Sequence, residues 1–286
     1  MSLLSLSGRT LALLALVAFA GAAIVFFNPI RRRFNHVLRF SYSLGKLSDE
    51  NYAKLGNRPR WSTFQFATED GVPLKGLVRR PSKSGAPWVV FYPGNDLEQL
   101  TQGQAFLERL ADGRDWGLFV TSYRGYDSNA GVPNPQVLAS DGRTAYDVLL
   151  SREHLDPSRV HIVAFSLGGY VATHVASHDR NAVGRFPDLS LMASVLNIEM
   201  FHASRFEKIL KGDTYDARSH LNDISGPVLV LNGTKDAILG VEQGRAIAAQ
   251  LGARARYVEV AGVGHNELLQ SEQAMAVLRD WIDRPN

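Results

Sequence analysis

From residue 88 onward, short unbroken apolar runs alternate with longer stretches in which apolar residues recur every three or four positions. The runs are 88–92 (WVVFY), 117–122 (GLFVTS), 160–165 (VHIVAF), 189–196 (LSLMASVL), 228–231 (VLVL) and 255–260 (ARYVEV). They are rich in β-branched residues and lack a polar face, the pattern of strands buried on both sides. Helical periodicity fills the intervals near 99–112, 135–151, 167–179, 241–252 and 270–283. Repeated strand–helix alternation predicts an α/β fold with a mostly parallel central sheet and helices on both faces. Ahead of it, Phe64 and Phe66 alternate with Thr63 and Gln65, and Glu69-Asp70-Gly71 supplies turn chemistry before an apolar 74–78. That pattern predicts a β-hairpin.

The N-terminus behaves differently. Residues 11–27 (LALLALVAFAGAAIVFF) carry no charge and no polar face, and Arg31, Arg32 and Arg33 follow closely. The run matches the lower end of the ~17–25 apolar residues that span a bilayer as a helix. Ala18-Phe19-Ala20 resembles a signal-peptide cleavage site, whereas three early arginines oppose translocation. The reading is an uncleaved, single-pass anchor over 1–30. Arg9 before the run against Arg31, Arg32, Arg33 and Arg39 after it places the remainder of the chain in the cytoplasm. Residues 31–60 read as a juxtamembrane connector with a helix around 34–44. The catalytic domain is expected over 61–286, with a short lid at about 198–226 carrying Met200, Phe201, Phe206, Ile209 and Leu210.

Composition narrows the function. The 286 residues are 45% hydrophobic and 21% charged, enough for one substantial core. A net charge of +3, from 31 Lys and Arg against 28 Asp and Glu, is scattered through the body and gives nucleic acid no basic face. The absence of cysteine excludes disulfides, thiolate metal sites and a Cys nucleophile. No motif calls for a cofactor. His174 and His178 share a helix face and could mimic a metal pair. No H-E-x-x-H pattern accompanies them, so a structural role is the better reading.

Ala164-Phe165-Ser166-Leu167-Gly168-Gly169 stands where a strand ends and a helix begins, the context that gives G-x-S-x-G its meaning, here with Ala164 for the first glycine. Taken alone, the serine could equally be a helix N-cap. Two further residues change the balance. Asp236 follows the run at 228–231, and His265 follows the run at 255–260, both on loops at strand C-terminal ends. A serine hydroxyl needs a base within reach, and the base needs an anion to fix its tautomer. Ser166 as nucleophile, His265 as base and Asp236 as orienting acid provide that chain. Asp213, Asp216 and Asp223 are nearby carboxylates that lie before the strand. Donors for an oxyanion fall at Leu167, after the serine, and at Asn95 in the loop after the third strand.

These blocks resemble the α/β-hydrolase superfamily, and within it the membrane-anchored, ABHD-type serine hydrolases. The likeness runs from Trp61 to Trp281 through Pro93-Gly94-Asn95, Tyr123-Arg124-Gly125-Tyr126, Asp156-Pro157-Ser158-Arg159, the Ser166 turn, Asn232 to Asp236, and Gly262 to Asn266. The resemblance implies a serine hydrolase of esters or thioesters, often lipid-derived, on a membrane, with Arg124 buttressing the loops beside the site. A peptidase or amidase with the same triad, and a non-catalytic tethered module, remain the alternatives.

Overall fold

The computed structural model describes residues 47–95, 98–178, 188–192 and 215–284. Its strands are β1 (Trp61–Ala67), β2 (Pro73–Arg79), β3 (Trp88–Tyr92), β4 (Gly117–Thr121), β5 (Val160–Phe165), β6 (Asp188–Met192), β7 (Val228–Gly233) and β8 (Ala255–Val260). Its helices are α1 (Asp49–Gly56), α2 (Gln99–Ala111), α3 (Pro135–Glu153), α4 (Gly168–His178), α5 (Arg218–Asp223), α6 (Val241–Leu251) and α7 (Glu272–Asp283).

The strands form one sheet in the order β1-β2-β4-β3-β5-β6-β7-β8. β1 and β2 are the predicted hairpin, antiparallel to each other; β2 also pairs antiparallel with β4, and every later pairing is parallel. Because successive side chains point to opposite faces, the unbroken apolar runs feed two cores. Trp88, Val90, Tyr92, Ile162, Ala164, Val228 and Val230 face one core, where α3, α4, α5 and α6 pack. Val89, Phe91, Val163, Phe165, Leu229 and Leu231 face the other, under α1, α2 and α7.

The order of the strands creates the site. After β3 the chain moves outward to β4, then returns across β3 to lay β5 on its other side. Loops leaving β3 and β5 therefore diverge at their C-terminal ends, the crevice where open α/β sheets bind ligands.

One feature departs from the sequence reading. Helix α1 lies in the segment where no period is visible. It is capped by Ser48 and held by Tyr52, whose buried hydroxyl donates toward the carbonyls of Phe64 (3.1 Å) and Gly76 (2.9 Å). The segment just ahead of residue 61 thus packs on the hairpin. Of the strand expected at 189–196, the described part is Asp188–Met192, and 193–196 lie outside the described residues.

The apolar run at 11–27, the helix expected around 34–44, and Met200, Phe201, Phe206, Ile209 and Leu210 of the expected lid lie outside the described residues. Within the described part of the lid segment the chain forms α5. Among the described residues no helix is long and apolar enough to cross a membrane.

Candidate active site

Ser166 sits on the turn between β5 and α4 with φ +51°, in the left-handed region that non-glycine residues seldom adopt. The turn is imposed by its neighbours. Its amide donates to the carbonyl of Met192 at the end of β6 (3.1 Å). A Cβ at Gly168 would lie 2.0 Å from the carbonyl oxygen of Tyr92, so only glycine lets the helix start this close to β3. Gly94 is equally constrained, because its Cβ would meet the ring of Phe165 at 2.9 Å and the Cβ of Ser166 at 3.2 Å. The loop after β3 is thereby pressed against the serine turn, with Leu167 buried beneath it and Asn95 at the surface.

The structure brings Asp236 and His265 together. His265 Nδ1 lies 2.7 Å from Asp236 Oδ2, both side chains buried. The other carboxylate oxygen accepts the amides of Ile238 (2.9 Å) and Leu239 (2.8 Å), which fixes its direction. Burial pushes this carboxyl up, but the imidazole, the two amides and the histidine charge together hold it below the usual range. The His265 ring packs on Phe165, the residue before Ser166, with centroids 4.8 Å apart. Of the rival acids, Asp216 is engaged by Arg218, Asp223 ends α5, and Asp213 lies outside the described residues.

Several polar residues invisible to periodicity hold the loops. Gln99 Nε2 donates to the carbonyl of Gly94 (2.9 Å), while its Oε1 accepts the amide of Tyr123 (3.0 Å) and the Ser122 hydroxyl (3.2 Å). Buried Asp127 accepts the amide of Leu100 at 2.9 Å. The Tyr123 hydroxyl donates to the Pro93 carbonyl (2.9 Å), and that of Tyr126 donates to Asn95 Oδ1 (2.6 Å). The Tyr123–Tyr126 block is therefore a clamp on the Pro93–Asn95 loop. Arg124 anchors the clamp through two-pronged bonds to Asp141 (2.5 and 2.6 Å) and Asp70 (2.9 and 3.0 Å). Burial raises the carboxyl of Asp141 against the pull of that guanidinium, and Arg124's hydrogen bonds hold the more exposed Asp70 low. Arg124 supports the loops, in the role that the resemblance implies.

A mostly parallel sheet with a serine in a left-handed turn just past its central strand β5, and a buried Asp–His pair on the loops beside it, belongs to the class of doubly wound α/β folds that carry hydrolytic sites. Comparison with known proteins narrows the class. The abhydrolase family described as TAP-like protein matches residues 211–284. An uncharacterized protein of Mycobacterium tuberculosis is 30% identical over 220 residues, covering 75% of this chain and 76% of its own. The human alpha/beta hydrolase domain-containing protein 17B is 23% identical over 251 residues, 86% of this chain and 83% of that protein. An alpha-beta hydrolase from Vibrio vulnificus superposes with a TM-score of 0.70 at 19% identity, covering 87% of this chain and 91% of its own. The chain belongs to the α/β-hydrolase superfamily and is a hydrolase enzyme.

Proposed function

We propose that the protein cleaves carboxylic esters or thioesters through an acyl-enzyme on Ser166, with His265 as general base and Asp236 as the acid that orients it. The observation that carries this reading is the buried 2.7 Å contact from His265 Nδ1 to Asp236, with the ring resting on the residue before Ser166. With Nδ1 donating to the carboxylate, Nε2 has the lone pair that takes the serine proton. Oγ then bonds to the acyl carbon. The oxygen of the tetrahedral intermediate is met by backbone N–H groups of Leu167 and Asn95. Collapse expels the alcohol or thiol, which leaves with the proton from His265. Water repeats the cycle, giving its proton to His265 and releasing the acid and free Ser166.

The substrate class rests on apolar side chains exposed on loops at strand C-terminal ends. Among the described residues, the large hydrophobic side chains left exposed are Val132 and Ile238. Both sit on loops after strand C-terminal ends, and Ile238 is two residues from Asp236. Apolar groups there suit an acyl chain better than a peptide backbone, which would require a row of donors and acceptors. A series of acyl esters and thioesters of rising chain length, assayed beside peptide amides, tests this. We expect kcat/KM on the best ester or thioester to exceed that on the amides by at least about a hundredfold, or about 3 kcal/mol of transition-state stabilisation. A faster amide series would overturn the assignment.

The apolar run at 11–27, followed by Arg31 to Arg33, supports membrane attachment as a single-pass anchor with the catalytic domain on the cytoplasmic side. Removing residues 1–30 leaves α1 and the whole site intact. The truncated protein is expected in the soluble fraction with its esterase activity retained. Continued sedimentation with membranes would assign attachment to another surface.

A further inference from the structure

His174 and His178 stand one turn apart on α4, and the fold brings His220 of α5 against them from 46 residues beyond His174. The ring centroids of His174 lie 4.1 Å from those of His178 and 4.7 Å from those of His220. One ring nitrogen from each of the three lies within 4.8 Å of the others. His174 lies eight residues beyond Ser166, six of them steps along α4, roughly 9 Å of its axis, so the cluster is not part of the hydrolytic site.

The hydrogen bonds around the cluster orient its lone pairs. His178 Nδ1 is 2.9 Å from the carbonyl of His174, which can only accept, so Nδ1 carries the proton and Nε2 the lone pair. The Ser177 hydroxyl donates to that same carbonyl at 2.8 Å, which leaves its oxygen to accept from His220 Nδ1 at 3.4 Å. His220 Nε2 then also presents a lone pair. It faces His174 Nδ1 at 3.4 Å. That separation matches the Ser177–His220 contact and lets a protonated His174 Nδ1 donate to His220 in the absence of an ion. It equals the edge of a tetrahedron whose nitrogens lie 2.0–2.1 Å from a central zinc, about 3.3–3.4 Å.

We propose that His174, His178 and His220 form a three-histidine site for a divalent first-row transition metal, zinc foremost, that clasps α5 onto α4. Two of the ligands already have their second ring nitrogen on a carbonyl or hydroxyl, the outer contacts that orient metal-binding imidazoles. Exposed His178 swings inward to close the remaining gap, and water takes the fourth position. An all-imidazole set without thiolate or carboxylate selects zinc, nickel or copper over calcium or magnesium.

Tag-free, full-length protein stripped with chelator and titrated with Zn²⁺ by calorimetry tests the site. One Zn²⁺ per chain is expected, with a Tm rise of about 5–10 °C at zinc about a hundredfold above Kd. Cobalt should give the intense visible bands of a tetrahedral centre. Because His178 is exposed, His178→Gln keeps the fold and is expected to weaken zinc binding at least about tenfold. His178→Gln combined with His220→Gln should abolish it, while Ser166→Ala binds as the wild type does, which separates this site from the hydrolytic one. Absence of zinc binding in the wild type, or unchanged affinity in the double variant, would overturn the proposal.

Discussion

Ser166→Ala is expected to lower turnover on an activated ester by about four orders of magnitude or more, with KM little changed and Tm within a few degrees of the wild type. Deleting Oγ removes the nucleophile, so acylation must fall back on water attack assisted by the oxyanion donors alone. The substitution is sterically silent. Alanine has the same Cβ as serine at φ +51°, and the contacts that force the turn come from Gly168, Gly94 and Met192, none of which it alters. A fluorophosphonate reagent, which reacts readily only with an activated serine, should label the wild type at Ser166 and leave the variant unlabelled. Labelling of the variant at the wild-type rate would place the nucleophile elsewhere and remove the basis of the proposed mechanism.

The site's backbone was legible in the sequence because burial on both faces of β3, β5 and β7 writes each strand as an unbroken apolar run. The ends of those runs then locate Ser166, Asp236 and the loop carrying Asn95. His265 follows the run of β8, an edge strand only partly buried, whose apolar alternation still marked its end. Less visible were the parts that depend on single polar contacts across loops. Gln99 and Asp127 stitch the β3 and β4 loops together, yet neither belongs to a period, and a lone Gln or Asp in a chain is ordinarily exposed. The one available signal was their closeness to the Pro93–Asn95 and Tyr123–Tyr126 blocks.

Helix α1 escaped for a related reason. Its contribution to the core is Tyr52 and Leu55, with Leu47 just ahead of it, too few for a helical stripe, and its docking depends on the Tyr52 hydroxyl reaching two strand carbonyls. His220 lies far along the chain from His174 and His178, so the sequence shows a pair where the fold assembles a trio.

Asp236→Asn separates the proposed acid from its rivals, and the structure specifies how the substitution fails. One carboxylate oxygen accepts two backbone amides, from Ile238 and Leu239, while the other faces His265 Nδ1. An asparagine retains its carbonyl oxygen on the two amides, because that is the only arrangement in which both donors stay satisfied. Its NH₂ group must then point at His265 Nδ1. Two donors cannot share that contact, so the imidazole proton moves to Nε2, the nitrogen that should accept from Ser166. By analogy with the serine-protease triad, where the same change is the established example, turnover should fall by about two to four orders of magnitude, or roughly 3–5 kcal/mol. Asp223→Asn, at the end of α5, is expected to cost less than about threefold. Asp236→Asn also has a defined response to acid. The carboxyl of Asp236 is held below its usual value, so its contribution to stability is present above its unfolded pKa near 4 and lost as pH falls through the lower folded value. The Tm deficit of Asp236→Asn relative to wild type should therefore be largest near neutral pH and shrink in strong acid. If Asp223→Asn shows the larger loss of turnover, the acid lies on the α5 side and the Asp236–His265 pair is a structural contact.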